Sequence, residues 1–221
     1  MLETVEICSG KNNPVIASVI CLHGLGADGN DLAPIVPALN LPDNLNIRFV
    51  FPHAPLRRIT INNGALMPAW YDVKLPSIAI EEDKVGIQES AEQVKKLIEQ
   101  EKLRGISAQN IFLAGFSQGA AMTLQVGLRY PERLAGLMCL SGYLPLHDTL
   151  NTERTMINQD IPLLIAHGTL DPIIPYAINI LSREKLISLG YSVEWHEYAM
   201  AHQLCNQEIQ DMCQWITRVL T

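Results

Sequence analysis

Ser117 lies between two glycines, each two residues away, in the stretch GFSQG that spans residues 115–119. An apolar run precedes this stretch and an alanine-rich run follows it, which predicts a strand that turns sharply into a helix. Such a turn strains the backbone of its middle residue, and only residues without a Cβ fit closely on both sides. It also presents the serine hydroxyl beside the helix N-terminus, whose free N–H groups favour negative charge. The pattern favours a nucleophile at Ser117 over an ordinary turn serine.

A serine hydroxyl becomes a strong nucleophile only when an imidazole takes its proton and a carboxylate orients that imidazole. On a strand-turn-helix scaffold the order along the chain is serine, acid, histidine. Asp171 follows the apolar run PLLIAHG, and His202 follows the next strand-like run, SVEWHEY. The sequence therefore predicts Asp171 as the acid, with Glu197 as a weaker substitute, and His202 as the base.

Two backbone N–H groups are also needed to stabilise the oxyanion of an acyl-transfer intermediate. Position predicts the amide of Gln118, directly after the serine, and the amide of Leu25 in the loop HGLGADGND after an early strand. The glycines of that loop, at positions 24, 26 and 29, also match the G-x-G-x-x-G pattern of dinucleotide sites. No acidic residue follows a second strand about twenty residues further on, and this argues against a nucleotide cofactor.

Elements of two kinds must position these residues. The strand-like runs are mostly continuous rather than alternating, which is typical of strands buried on both faces of a parallel sheet. They cover residues 17–24, 46–55, 110–117, 134–143, 162–168 and 192–198. Helical patterns cover residues 85–105, 176–190 and 206–220, and a fourth runs from Ser117 to Pro131. This alternation predicts one α/β domain over residues 1–221, with a mostly parallel sheet and helices on both faces. Residues 52–83 fit neither pattern and are predicted to form a functional loop.

Composition excludes several other classes of protein. The 221 residues are 48% hydrophobic and carry a formal net charge of −7, which suits a large core and disfavours nucleic acid as a partner. No apolar segment approaches the roughly 20 residues of a membrane span, and the N-terminus does not resemble a signal peptide. Five cysteines without a C-x-x-C pair favour free thiols and a cytoplasmic location. No ligand spacing for a metal is apparent, so neither metal nor cofactor is predicted.

Seven motifs in order resemble the acyl-protein thioesterase/carboxylesterase group of α/β hydrolases, also called the phospholipase/carboxylesterase family. They are LHGLGADGND, FPHAP, MPAWYD, GIQESAEQVKKLIEQE, GFSQGAAMTL, HGTLDPIIP and MAHQ. The resemblance covers essentially the whole chain and implies an α/β-hydrolase fold without a large cap domain. It also implies hydrolysis of carboxylic esters or thioesters through an acyl-serine intermediate. Carried over motif by motif, it assigns the nucleophile to Ser117, the acid to Asp171, the base to His202, and the oxyanion donors to Leu25 and Gln118.

The expected substrate is a small acyl ester or thioester, including a lipid or an acylated protein. Apolar residues in the loops are candidates for the pocket wall, with ordinary core packing as the alternative: Leu66, Trp70, Leu75 and Ile174. A lysophospholipase, a small peptidase or a depalmitoylating thioesterase would use the same triad. A catalytically idle hydrolase fold that only binds is the non-enzymatic alternative. The sequence leaves a homodimer open.

Overall fold

A seven-stranded sheet forms the centre of the molecule in the computed structural model, which describes residues 2–10, 13–74 and 81–221. Its strands are β1 (Thr4–Cys8), β2 (Ala17–Leu22), β3 (Ile47–Pro52), β6 (Ile111–Phe116), β7 (Gly136–Leu140), β8 (Leu163–Gly168) and β9 (Glu194–Tyr198). Two further strands, β4 (Leu56–Ile59) and β5 (Ala65–Pro68), form a separate antiparallel hairpin. The helices are α1 (Gly29–Leu32), α2 (Ile35–Leu39), α3 (Lys84–Leu103), α4 (Gln118–Gly127), α5 (His147–Glu153), α6 (Tyr176–Ser188) and α7 (Asn206–Leu220).

The strand order is β1-β3-β2-β6-β7-β8-β9, and every neighbouring pair is parallel except β1 with β3. The chain leaves β2 towards one edge of the sheet and leaves β6 towards the other. Parallel sheets bind ligands outside the carboxyl ends of their strands at such a reversal. Leu22 at the end of β2 pairs with Gly115 near the end of β6, so the loops that follow these two strands emerge side by side.

Side chains of the central strands alternate between two buried layers. On β2, Ile20 and Leu22 pack into one apolar cluster and Val19 and Cys21 into the other. Helices α3, α4, α5 and α6 contribute buried residues to the first cluster, whereas α2 and α7 contribute to the second. Both faces of the central strands β2, β6, β7 and β8 are therefore dry, which explains their continuous apolar runs in the sequence.

The predicted mostly parallel sheet with helices on both faces is confirmed. Each of the six predicted strands is present, and α7 has the predicted bounds, 206–220. Within the described residues no segment forms a cap domain over the sheet, and no helix has the length and apolar character to cross a membrane.

The prediction of an irregular segment over residues 52–83 was wrong in part, because the β4–β5 hairpin lies inside it. Pro55 and Pro68 obscured the strand pattern, but the pair Asn63 and Gly64 carried a hairpin signal. Both residues have positive φ, 54° and 74°. Four short elements were not predicted from the sequence: the edge strand β1 and the helices α1, α2 and α5.

Candidate active site

Ser117 occupies a sharp turn between β6 and α4. Its φ of 57° and ψ of −119° lie outside the conformations that L-residues normally adopt. The turn closes only because its flanking glycines lack side chains. A Cβ on Gly115 would lie 2.2 Å from the Gly119 carbonyl oxygen, and one on Gly119 would lie 2.0 Å from the Leu22 carbonyl oxygen. The two glycines of GFSQG thus allow β6 and α4 to pack closely against β2.

Backbone contacts hold the strained turn in place. The Ser117 amide donates to the Leu140 carbonyl of β7 at 2.9 Å, and the Ser117 carbonyl accepts from the amides of Ala120 and Ala121 in α4. A Cβ on Gly24 would lie 3.3 Å from the Ser117 Cβ, so the loop after β2 passes directly beside the serine. Ser117 is 8% exposed. The turn is fixed on three sides and still presents part of the serine to solvent.

The loop after β9 brings His202 to this serine. The Nε2 atom of His202 lies 2.8 Å from the Ser117 Oγ, and Nδ1 lies 2.6 Å from the Asp171 Oδ2. Because an ionised carboxylate only accepts, Nδ1 carries the ring proton and Nε2 is free to accept from the serine hydroxyl. The ring also contacts Phe116, with centroids 4.8 Å apart. Phe116 was missed in the sequence analysis, although it directly precedes the serine.

Asp171 is fixed by the loop after β8. Its Oδ1 atom accepts from the amides of Ile173 and Ile174 at 2.8 and 2.9 Å, which leaves Oδ2 to His202. His167, at the end of β8, is fully buried, and its Nε2 donates to the Ile174 carbonyl at 2.9 Å. Burial lowers the pKa of His167. His167 Nε2 also lies 3.6 Å from Asp171 Oδ2, which is beyond hydrogen-bond distance, so this oxygen bonds to His202 at 2.6 Å.

Two amide groups beside Ser117 have no acceptor. In the described residues 2–10, 13–74 and 81–221, neither the Leu25 nor the Gln118 N–H forms a hydrogen bond within the protein. The two residues lie in the adjacent loops after β2 and β6, and Gln118 begins helix α4. Unpaired amides at a helix start and a neighbouring loop suit a developing negative charge.

The four residues predicted to line a substrate pocket differ in how exposed they are. Leu66, on β5, is 59% exposed. Trp70 and Ile174 are buried, at 0% and 2% exposed, and present almost no surface to a substrate in this conformation. Leu75 lies outside the described residues. The role of these four residues in a substrate pocket stays a prediction.

Glu197, the weaker candidate for the acid, and His196, another histidine on β9, are both held by other contacts. Glu197 accepts hydrogen bonds from the Tyr176 hydroxyl and the Trp195 indole, not from His202. His196 lies 3.1 Å from Glu194 and 3.4 Å from Asp211. Over the part of the chain that the structure describes, no group of three or more histidine, cysteine, aspartate or glutamate side chains is arranged to hold a metal ion.

Comparison of the sequence with known proteins identifies a family of ester hydrolases. The family model described as Phospholipase/Carboxylesterase matches residues 2–220. The chain is 37% identical over 205 residues to acyl-protein thioesterase 1 of Yarrowia lipolytica, covering 90% of each protein. It is 40% identical over 189 residues to acyl-protein thioesterase 1 of Schizosaccharomyces pombe, covering 84% of this chain and 83% of the relative.

Solved structures agree with the observed fold. The chain is similar to the crystal structure of Arabidopsis thaliana SOBER1 with a TM-score of 0.89 and 31% identity, over 94% of this chain and 100% of the other. It is also similar to Zea mays acyl-protein thioesterase 2, with a TM-score of 0.86 and 27% identity over the whole of both chains. The chain belongs to the phospholipase/carboxylesterase family of α/β hydrolases. It is a carboxylic ester hydrolase that acts on esters or thioesters.

Proposed function

We propose that the chain hydrolyses acyl thioesters and carboxylic esters through a covalent acyl intermediate on Ser117. The observation that carries the proposal is the continuous contact from Ser117 Oγ to His202 Nε2, at 2.8 Å, and from His202 Nδ1 to Asp171 Oδ2, at 2.6 Å. A nucleophile within reach of a base that is itself oriented by a carboxylate is the arrangement used for acyl transfer.

In the first half-reaction, Ser117 Oγ attacks the carbonyl carbon of the substrate while His202 Nε2 takes the hydroxyl proton. The former carbonyl oxygen becomes an oxyanion and accepts hydrogen bonds from the amides of Leu25 and Gln118. Asp171 stabilises the positive imidazolium ring. When the bond to the leaving group breaks, His202 returns the proton to the departing thiolate or alkoxide, and the acyl group stays on Ser117.

In the second half-reaction, His202 takes a proton from water, and the resulting hydroxide attacks the acyl carbon. A second oxyanion forms between the same two amides and collapses. The bond to Ser117 Oγ breaks, His202 gives its proton to that oxygen, and a carboxylic acid leaves. The free enzyme is regenerated without any other reactant.

Relatives support a protein S-acyl thioester as the substrate. Both fungal relatives at 37% and 40% identity are acyl-protein thioesterases. A thioester also has the better leaving group, since a thiol is far more acidic than an alcohol. Of the predicted pocket residues, exposed Leu66 is the one best placed to contact an acyl chain, whereas buried Trp70 and Ile174 would have to move to do so. A lysophospholipid remains the second candidate substrate, since its ester is open to the same chemistry.

A reducing compartment such as the cytoplasm suits the five cysteines, all of which are free thiols. Acylated proteins exposed to that compartment would then be accessible substrates. This assignment is supported by the thiols alone and is tested by locating a tagged form of the chain in intact cells.

The activity test uses p-nitrophenyl esters of increasing chain length beside an S-acylated peptide and a lysophospholipid. We expect turnover of both the esters and the peptide, and a covalent acyl adduct on Ser117 visible by mass spectrometry after rapid quenching. Ser117→Ala should lose activity by a factor on the order of 10⁶, as in other serine hydrolases.

Ser188→Ala is the matched control, because Ser188 lies on the exposed surface of α6 and, among the described residues, its hydroxyl donates to the Lys185 carbonyl. Hydrolysis by Ser117→Ala at the wild-type rate would contradict the nucleophile assignment. A wild-type protein inactive on every substrate would favour a hydrolase fold that binds without turnover.

A further inference from the structure

Trp70 is hydrogen-bonded to both of the loops that carry the oxyanion amides. Its indole N–H donates to the His23 carbonyl at 2.9 Å, in the loop after β2. Its backbone N–H donates to the side-chain oxygen of Gln118 at 2.8 Å, at the start of α4. The residue is fully buried. We call the hydrogen bonds among His23, Trp70 and Gln118 the Trp70 bridge.

On the β2 side the bridge continues to the Leu25 amide through His23. The Ala54 amide donates to His23 Nε2 at 3.0 Å, so the ring proton must be on Nδ1, which donates to the Gly24 carbonyl at 2.8 Å. The Gly24 carbonyl and the Leu25 N–H belong to one planar trans peptide and point in opposite directions. Fixing the carbonyl therefore fixes the direction of the Leu25 N–H.

On the β6 side the bridge holds the residue that supplies the second amide. Besides accepting from Trp70, the Gln118 side chain donates through Nε2 to the Tyr71 carbonyl at 2.7 Å. The side chain is thus attached at both of its polar atoms, and its own backbone N–H is the second oxyanion donor. The Gln118 side chain therefore holds its own backbone N–H in position, a role that its place after the serine did not predict.

The segment that makes the bridge is itself anchored. The Ser90 hydroxyl of α3 donates to the Trp70 carbonyl. The Tyr71 hydroxyl lies 2.8 Å from the Tyr143 hydroxyl, in the loop after β7. Ser90 and both tyrosines are buried, so neither hydrogen bond exchanges readily with water.

We propose that Trp70 is a positioning residue that sets the spacing and direction of the Leu25 and Gln118 amides relative to each other. The proposal rests on the proposed function, because it takes these two amides as the oxyanion donors. Stabilisation of an oxyanion depends on donors that are already in place when the charge forms. Two donors on separate loops need a rigid element between them, and the fully buried Trp70 joins both loops directly.

Trp70→Phe tests the bridge, because phenylalanine keeps an aromatic ring and the backbone N–H but lacks the indole N–H. We expect kcat to fall by about 10-fold to 100-fold, the range associated with misplacement of catalytic groups by about 1 Å. KM should change by less than about 3-fold, because a donor used only in the transition state leaves ground-state binding unaffected. The pH profile should keep its midpoint, since Trp70 does not touch His202 or Asp171.

Trp215→Phe is the matched control. Trp215 is also buried, at 2% exposed, and packs edge-on against Phe112 in the other core layer. It is not bonded to either oxyanion loop. A merely structural role for Trp70 would make the two substitutions alike: both would lower the melting temperature and neither would lower kcat.

The affinity of a trifluoromethyl ketone inhibitor measures how well the oxyanion site is formed, independently of turnover. Ser117 Oγ adds to its carbonyl carbon, the serine proton passes to His202, and the resulting alkoxide lies between the Leu25 and Gln118 amides. Affinity for this inhibitor should fall in Trp70→Phe by about the same factor as kcat/KM. Unchanged affinity in a folded Trp70→Phe would overturn the proposal.

Gln118→Met removes the hydrogen bonds of the Gln118 side chain to Trp70 and Tyr71. It tests the proposal even if Trp70→Phe does not fold. It keeps the backbone amide of residue 118 and nearly the same side-chain volume. Its loss of kcat should match that of Trp70→Phe, and the double variant should lose less than the product of the two, because both act through one unit. Wild-type kcat in Gln118→Met, or multiplicative effects in the double variant, would overturn the bridge. Failure of the proposed function would appear instead as an active Ser117→Ala.

Discussion

At Asp171 a single carboxylate has two tasks that use different oxygens. Oδ1 is held by the Ile173 and Ile174 amides, and Oδ2 faces His202. Ser117, Asp171 and His202 each follow a predicted strand, now β6, β8 and β9, and this was enough to predict that they would meet. The residues that steady them were not predictable in this way, because Phe116 and His167 act through ring contacts and buried hydrogen bonds that have no fixed spacing in the sequence.

The carboxylate of Asp171 should be required for turnover, not for folding. Asp171→Asn keeps the shape and the acceptor at Oδ1, but places either an amide N–H or a neutral oxygen against His202 Nδ1. The ring then loses the tautomer that leaves Nε2 free to take the serine proton. We expect kcat to fall on the order of 10⁴-fold, as in other triads.

Steady-state kinetics and thermal melting of Asp171→Asn check this prediction. Asp148→Asn is the control, because Asp148 lies on the exposed surface of α5. An Asp171→Asn variant within tenfold of wild-type kcat would show that another group orients His202.

At the scale of elements, helix α7 follows the His202 loop and begins without a side-chain cap. Cys205 occupies the N-cap position and forms no capping hydrogen bond. Glu208, in the first turn, is fully buried, and burial raises its pKa to about 8. The apolar periodicity of residues 206–220 predicted the helix and its bounds, but a glutamate in a first turn is normally read as an exposed, dipole-stabilised residue. Only the packing of α7 against the sheet shows that it is buried.

Glu208→Gln should therefore stabilise the protein more at high pH than at low pH. In the folded protein the Glu208 carboxyl keeps its proton up to about pH 8, whereas in the unfolded chain it releases the proton near the ordinary value of about 4.3. Between these values the unfolded state binds fewer protons, so the free energy of unfolding of the wild type falls as pH rises. Glutamine has no proton to lose and avoids this penalty.

Melting temperatures of both proteins at pH 5 and pH 8 test this expectation. The advantage of Glu208→Gln should be larger at pH 8 by at least about 2–4 °C, which corresponds to about 1 kcal/mol for a chain of this size. Glu184→Gln, at an exposed position on α6, should show no such difference between the two pH values. An equal shift for Glu208→Gln at both pH values would mean that Glu208 is ionised in the folded state.

For the molecule as a whole, the two buried apolar clusters on either side of the sheet determine which side chains solvent and reagents can reach. Sequence patterns predicted both layers, because strands buried on both faces are continuously apolar. They did not predict the order of the strands or the reversal between β2 and β6, since that order depends on which strands pair, not on the character of any one of them. The loop that contains Leu25 and the turn at Ser117 become neighbours because β2 pairs with β6.

The reactivity of each cysteine thiol should depend on whether it lies inside one of these buried clusters. Cys21 and Cys139 are buried in the central strands, and burial raises the pKa of the Cys139 thiol to about 12 and that of Cys21 in the same direction. Because the thiolate is the reactive form, both should resist a disulfide reagent in the native protein. Exposed Cys8 should react first, and the half-buried Cys205 and Cys213 more slowly.

Titration with 5,5′-dithiobis(2-nitrobenzoate) should therefore count no more than three thiols in the folded protein and all five in denaturant. Cys8→Ser should remove the fastest phase and nothing else. Rapid reaction of five thiols without denaturant would mean that the central layers open to solvent.

The positive φ of Ser117 limits how far the thermal stability of this enzyme can be raised without loss of activity. Holding a residue with a Cβ at a φ of 57° costs on the order of 1–2 kcal/mol, which a glycine would largely avoid. A library screened only for heat resistance would therefore favour Ser117→Gly, a variant that lacks the hydroxyl we propose as the nucleophile. Engineers who seek a more robust catalyst must select for turnover and heat resistance together, because at this one position the two demands point in opposite directions.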